Sequence, residues 1–523
     1  MSPSTLSAND HHAADDDDIA AATATATRPA KKLKDAAETV VNVLRHESES
    51  EAHQLFRSHP GHNKSQGRPF SSGDTDEKFP GIKHPGSTGV IYVTDRAMSN
   101  GFYYGNPEWA NMGQGAPEVG HIEGAVPRPL QFDLSQYGDG VHEYAPNTGI
   151  LELRKAVARY YNHTFRQGKE QQYEASNVCI VPGGRAGMTR LAAVIGSVNC
   201  GYQLPEYTSY ESMLSAFKSL VPIPTVLSEE DRYKLSPADL RKEIKGRGLS
   251  AMIMSNPRNP TGMLIEGEEL HELVDMSREL GCTMLLDEFY SWYMHEGPLG
   301  RANSAAEFIE DINETPVVMI DGLTKGFRLP GWRVCWVVGP KDIISALNQS
   351  GSFLDGGTSH PMQCMALQML DLDRTEQDRK ALQRLFRHKR NHVLKRLAAM
   401  GLKVHIEPQA TFYIWLSLAP LPPPLNSGLV MFEELLREKT IVVPGIAFDI
   451  NPAHRRNIVD SPCENFIRIS YGPELSQIDR GLDALERVIA KANPDSLHAD
   501  SLGKGLAPTK DSHVDAKHLP THN

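Results

Sequence analysis

In the middle of this chain, short apolar runs (NVCIVP, SAMIMSNP, TMLLDEF, PVVMIDG and RVCWVVG) alternate with longer stretches of helical periodicity. Runs that are apolar on both strand faces must be covered on both, so the pattern predicts a mostly parallel sheet flanked by helices. One helix is readable in detail. Leu270, Leu273, Val274 and Leu280 follow the i, i+3, i+4 rule, and Gly281 supplies the C-terminal stop. After about residue 390 the pattern changes to a helix (HKRNHVLKRLAAMG), an alternating strand over KVHIEPQATFYIWLSL, a second helix (MFEELLREK) and the runs IVVPG and FIRISYG. The expected fold class is α/β, with a large domain over 131–390 and a smaller α+β domain over 391–492.

Outside this region the composition cannot support a core. Residues 1–85 hold the acidic run Asp15 to Asp18, the repeat IAAATATATRP and a long polar stretch, and 493–523 is again polar. Both tails are expected to be largely disordered, with an amphipathic helix around Leu33, Val40, Val41, Val43 and Leu44 as the one exception the periodicity allows. Eleven of the 21 histidines lie in these tails at irregular spacing, which reads as solvated tail and not as a metal site.

Several function classes are disfavoured. The 54 basic and 65 acidic side chains give a net charge of −11, and short basic clusters such as Lys31, Lys32 and Lys34 do not make a concentrated basic surface, which argues against a nucleic-acid partner. No run approaches the roughly 18 apolar residues a membrane-spanning helix needs. The start MSPSTLSAND lacks the features of a signal peptide, so a soluble cytoplasmic protein is expected. Six cysteines stand singly, which indicates neither a disulfide framework nor a zinc site.

In such a sheet, ligands bind beyond the carboxyl ends of the strands, so polar residues just after an apolar run are the first candidates. Gly183, Gly184, Arg185 and Ala186 follow NVCIVP and open a helix, a geometry that exposes backbone N–H groups to a phosphate. SNPRNPTG makes a rigid turn that fixes Asn259 at a strand end. Asp287, Glu288 and Tyr290 close another strand, where a partly desolvated carboxylate needs a cation or strong donor. Lys325 lies just past PVVMI, where partial burial favours the neutral amine that Schiff-base chemistry requires, and Arg333 follows one short loop later. Arg468 is a lone guanidinium inside the apolar FIRISYG strand, suited to a bidentate carboxylate contact. Each feature has a bland alternative: a common Gly-Gly turn, an ordinary turn, a structural salt bridge, a surface lysine, an internal ion pair. Taken together, a phosphate cradle, a lysine nucleophile, an acid for a pyridinium nitrogen and an arginine for a carboxylate suit pyridoxal phosphate and an amino acid.

At this point the sequence resembles the class I/II aminotransferases, which are fold-type-I pyridoxal phosphate-dependent enzymes, over about residues 88–490. SNPRNPTG resembles that family's NPxNPTG signature, DEFY its DExY signature, and LTKGFRLPGWR its lysine loop, with Arg333 eight residues after Lys325. The resemblance implies that Lys325 forms an internal aldimine with pyridoxal 5'-phosphate and shuttles the proton. It also implies that Asp287 keeps the pyridine nitrogen protonated, and that Tyr290 and Asn259 bond the phenolate oxygen. Arg333 with the backbone of Gly184 and Arg185 would take the phosphate, Tyr207 in PEYTSY would stack on the ring, and Arg468 would clamp the substrate carboxylate. EYAPNTGILELRKAVARYY and NMGQGAPE are similar to two further family segments. They imply that Tyr144 reaches the phosphate of a neighbouring subunit in a homodimer, that Gly115 lies near the substrate, and that residues 86–130 form an arm and substrate segment.

Departures matter too. Where the family usually has Ser three residues and one residue before the lysine, this chain has Gly322 and Thr324; Thr324 keeps a hydroxyl, and Thr358 is a candidate for the missing phosphate contact. The activity implied is transfer of an amino group from an L-amino acid to a 2-oxo acid. The alternatives are a carbon-sulfur β-lyase or an aminocyclopropane-carboxylate-synthase-like eliminase on the same scaffold, and a non-catalytic regulator, which the missing basic module disfavours. Phe102, Tyr103, Tyr104, Trp109 and Trp292 hint at an aromatic or large apolar substrate, with core and surface packing as the plain alternative. No second arginine for a distal carboxylate stands out.

Overall fold

The computed structural model describes residues 50–58, 89–452, 456 and 461–492. The expected tail helix around Leu33 to Leu44 and the C-terminal tail from residue 493 lie outside the described residues. Glu51–Ser58 is a helix, with Glu51 in its first turn and Arg57 in its last, each placed favourably for the helix dipole.

From residue 89 onward the strands are β1 (Ala110–Asn111), β2 (Val178–Val181), β3 (Val198–Leu204), β4 (Leu220–Val226), β5 (Leu249–Ser255), β6 (Thr283–Asp287), β7 (Val317–Gly322), β8 (Cys335–Val338), β9 (Tyr413–Ser417), β10 (Thr440–Ile441), β11 (Val443–Pro444) and β12 (Phe466–Ser470). Seven of them form the main sheet in the order β2-β8-β7-β6-β5-β3-β4. All neighbours are parallel except β8, which runs antiparallel to both β7 and β2. Every residue of β2, β7 and β8 is buried, as runs apolar on both faces require. The helix Glu268–Leu280 ends at Gly281 with φ of 62°, the left-handed conformation expected of that stop.

The topology sets the site. Ser255, Asp287 and Ile320 are register partners across β5, β6 and β7, so SNPRNPTG, DEFY and the lysine loop leave the sheet side by side. β2 and β3 point the same way, which brings the Gly183 turn and PEYTSY to the same edge.

A second sheet, ordered β11-β12-β9, is antiparallel and carries Arg468 opposite Trp415. The long strand expected over KVHIEPQATFYIWLSL forms only at Tyr413–Ser417. Ahead of it lie Pro408, which cannot donate to a ladder, and Thr411 at φ 70°. The boundary expected near residue 390 falls inside one unbroken helix, Leu372–Ala399. The segment before the main sheet joins the C-terminal elements. β1 pairs in parallel with β10, Met112 accepts the Ser470 N–H at 2.8 Å, and Gly472 accepts the Glu118 N–H at 2.8 Å.

The aromatic residues that hinted at substrate preference are core or surface residues. Trp292 is 1% exposed, donates to the Tyr160 hydroxyl at 2.7 Å and contacts Phe327 at 4.3 Å. Phe102 and Trp109 pack edge-on at 5.5 Å, while Tyr103 and Tyr104 are exposed. These are the plain readings, core and surface. None of the described helices is long and apolar enough to cross a membrane.

Candidate active site

Lys325 lies three residues past the end of β7, and its side chain is half-buried. Its amine donates to the Gly115 carbonyl and lies 6.0 Å from the centroid of the Tyr290 ring. Burial first, then the Arg468 charge, pushes this amine down to about 8; Asp287 opposes the shift.

Asp287 is the last residue of β6 and only 7% exposed. It accepts from the Tyr210 hydroxyl at 3.0 Å, and burial lifts its carboxyl to about 6. No hydrogen-bonded cation accompanies it among the described residues. Tyr210 carries no signal of its own, yet it stands three residues after Tyr207 in the same PEYTSY segment, so one helical turn separates them.

Asn259 and Arg468 meet directly. Arg468 Nη1 donates to Asn259 Oδ1 at 3.0 Å and Nη2 to the Gly113 carbonyl at 2.7 Å. Its Nε is buried with no hydrogen-bond partner among the described residues. The guanidinium carbon lies 4.1 Å from the Tyr413 ring centroid and 4.9 Å from that of Phe448. Such aromatic faces orient the fork and keep water from it. Tyr290 is buried, with its hydroxyl 2.7 Å from that of Tyr413. Sequence reading missed Tyr413 altogether, because it lies in a strand whose other residues are ordinary core.

The glycine turn is shaped by Arg333. A Cβ built on Gly183 would lie 1.8 Å from Arg333 Nη2, the movable end of an exposed side chain, and it is the φ of 107° that favours glycine here. A Cβ on Gly184 would strike the Phe289 ring at 2.4 Å. Arg333 is itself exposed, and its Nη1 donates to the Pro330 carbonyl at 3.1 Å. Arg185 follows at the start of the helix Gly184–Val194 and donates to the Tyr207 hydroxyl at 3.3 Å, which ties two sequence-predicted positions together.

The glycine at 322 has a packing cause. It faces Cys335 in register, and a Cβ there would lie 2.5 Å from the Cys335 Cα and 2.6 Å from its sulfur. The Thr324 hydroxyl sits 3.2 Å from the same sulfur. Tyr144 is 94% exposed on this chain, and Thr358 is buried with its hydroxyl unpartnered among the described residues. A cavity of about 920 Å³ opens elsewhere, along the helix Leu151–Phe165 beside Arg154, Arg159 and Tyr173. It is an open groove that none of the strand-end residues line.

A family model described as "Aminotransferase class I and II" matches residues 107–485. The protein named "Aromatic-amino-acid aminotransferase 2" of Thermococcus litoralis is 27% identical over 356 residues, which cover 67% of this chain and 85% of that protein. "Probable aspartate/prephenate aminotransferase" of Aquifex aeolicus is 23% identical over 355 residues, covering 67% and 84% respectively. A solved single-mutant aspartate aminotransferase of Thermus thermophilus superposes with a TM-score of 0.64 at 21% identity, over 80% of this chain and 100% of that one. At that identity the likeness speaks for the fold alone.

Proposed function

Because the chain belongs to the class I and II aminotransferase family, whose model matches residues 107–485, we propose that it transfers an amino group from an L-amino acid to a 2-oxo acid with pyridoxal 5'-phosphate. The observation that carries this reading is the placing of the Lys325 amine at the Gly115 carbonyl and beside the Tyr290 ring, where burial first and then the Arg468 charge push it down to about 8.

The residues present fit the cofactor. Asp287 is a buried carboxylate with no hydrogen-bonded cation among the described residues, and a protonated ring nitrogen would supply one. The glycine turn at the start of Gly184–Val194, with Arg333 across it, has the N–H groups and charge for a phosphate. When bound, the cofactor supplies an electron sink for the bond being broken at the substrate's α-carbon. Lys325 would hold it and carry the proton at that carbon. Tyr290 and Asn259 would bond its ring oxygen, Tyr207 would lie on its ring face, and Gly184, Arg185, Thr324 and Arg333 would hold its phosphate. Arg468 would bind the substrate carboxylate through its fork, with Gly115 beside the substrate. The exposure of Tyr144 supports a homodimer in which that hydroxyl serves the neighbouring site.

The likeness to a protein named as an aromatic-amino-acid aminotransferase supports an aromatic or large apolar amino donor. The test is a panel of amino donors offered to the purified holoenzyme with 2-oxoglutarate or pyruvate as acceptor. Amino transfer fastest with phenylalanine, tyrosine or tryptophan is expected. Release of pyruvate and ammonia from a cysteine conjugate without any acceptor would replace this reading by β-elimination.

Replacing Arg468 with Gln should raise KM for amino and oxo acids alike. Losing a buried charge-assisted contact costs about 2–5 kcal/mol, so kcat/KM should fall roughly 30-fold to several thousand-fold. Steady-state kinetics with both substrates checks this, and a change confined to one substrate would count against a shared carboxylate clamp.

Asp287 gives a pH-dependent prediction for the cofactor-free protein. Its carboxyl titrates near 6 in the folded state against an ordinary 3.8, so the folded state keeps its proton longer. The stability this group contributes is present below about pH 4 and is lost as pH rises through 6. Asp287→Asn should therefore gain on the wild type between pH 4 and 7, by about 3 kcal/mol at the upper end. Urea unfolding across that range reads the difference, and parallel pH profiles would refute it.

A further inference from the structure

No motif in the sequence points to Tyr413, yet this side chain touches both Tyr290 and Arg468 at the centre of the site. It opens β9, lies opposite Ser470 of β12 and is fully buried. Its hydroxyl oxygen is 2.7 Å from that of Tyr290, and its ring face carries the Arg468 guanidinium at 4.1 Å. A Cβ built on Gly115, whose carbonyl holds the lysine amine, would lie 3.2 Å from the Tyr413 hydroxyl and 3.9 Å from Lys325 Nζ.

Two phenols this close form one hydrogen bond between them and leave one proton over. Burial pushes both above the ordinary phenol range, so each keeps its proton at neutral pH. The charged and titratable groups facing the pair are Arg468, Lys325, Asp287, Tyr207, Tyr293 and Tyr471. If Tyr290 bonds the cofactor's ring oxygen, as proposed above, its proton is committed there and Tyr413 must be the donor within the pair. A hydroxyl that accepts one hydrogen bond donates a stronger one.

We infer that Tyr413 is a positioning residue that donates its O–H to Tyr290, turns the Tyr290 proton toward the cofactor's ring oxygen, and acts on the lysine-held cofactor only through Tyr290. The contact with Arg468 keeps the ring from rotating and links this phenol pair to the carboxylate fork.

The experiment is a pH titration of the holoenzyme's visible cofactor band, without substrate, for wild type, Tyr290→Phe, Tyr413→Phe and the double variant. It is paired with the dissociation constant of an unreactive monocarboxylate. A donor to the ring oxygen favours loss of the proton from the nearby lysine nitrogen. Tyr290→Phe should therefore raise the band's midpoint by about one to two pH units. Tyr413→Phe should raise it by about 0.3 units, since a relayed bond strengthens the next by a fraction only. The double variant should match Tyr290→Phe, because the relay has nothing to act through. Carboxylate affinity should stay within about twofold in Tyr413→Phe, since the ring under Arg468 remains.

A midpoint that moves in Tyr290→Phe but not in Tyr413→Phe overturns the relay. An additive double variant overturns it too, by showing that Tyr413 acts directly. A midpoint unmoved in Tyr290→Phe removes the reading of Tyr290 on which the relay rests, and so separates that failure from the relay's own.

Discussion

Lys325→Ala should lower amino-group transfer by about 10⁴-fold or more while leaving the protein as stable as the wild type. The amine titrates near 8, against an ordinary 10.5. At pH 7.5 roughly a quarter of it is neutral, where an exposed lysine would be neutral in about one molecule in a thousand. Burial makes this amine a usable nucleophile and base, and the same burial makes its cation unfavourable in the fold. A folded value below the unfolded one means that the group opposes folding below about pH 8, and that the penalty fades as pH rises toward 10.5. Alanine removes that penalty near neutrality, which offsets the packing lost with the side chain. A lysine kept for structure would give the opposite result, with lower stability and retained turnover. Single-turnover kinetics and thermal melts on the same preparation distinguish the two, and an alanine variant that still turned over would remove Lys325 from the chemistry.

What could be read in advance follows from where the constraint lies. Strands apolar on both faces announced the buried sheet, and the rule that ligands bind at carboxyl strand ends singled out Asn259, Asp287, Tyr290 and Lys325. Their meeting is a matter of topology: β5, β6 and β7 are neighbours in register, so turns far apart in sequence leave one edge together. Arg468 was legible because a guanidinium in an apolar strand demands a partner. Its contacts with Asn259 and Gly113 were not, since they depend on how the second sheet and the 110–118 segment meet the first. Tyr210 and Tyr413 look like core tyrosines in sequence, and only the fold shows their hydroxyls aimed at Asp287 and Tyr290. Gly322 shows a different limit. It reads as a lost hydroxyl, and its cause, the close approach of Cys335, sits on another strand. The expected long strand is cut short because Pro408 cannot donate to a ladder and Thr411 takes a left-handed φ of 70°.

The same limit hid Arg258, the variable position of SNPRNPTG, which carries the largest stability effect expected in the protein. Arg258 is 2% exposed and donates to Glu206 at 2.9 Å and to the Gln203 carbonyl oxygen of its side chain. Glu206 is fully buried, and it accepts from the Tyr207 N–H at 2.9 Å, from the Ser255 N–H at 3.2 Å and from the Ser255 hydroxyl. Ser255 in turn accepts the Asn259 N–H at 3.1 Å. One ion pair thus braces the backbone of both Tyr207 and Asn259 from behind. Burial lifts the Glu206 carboxyl to about 7 in spite of the arginine, so desolvation outweighs the pairing, and the pair by itself is a weak source of stability. Breaking it is another matter. Arg258→Met should destabilise by about 3–5 kcal/mol, because Glu206 is left buried without its cation. The double variant Glu206→Gln/Arg258→Met should recover much of that loss, since the Gln carbonyl still accepts from the Tyr207 N–H and no charge remains. Urea unfolding of the wild type and three variants closes the cycle. If Arg258→Met alone costs under about 1 kcal/mol, water reaches Glu206 and the pair is not the brace described.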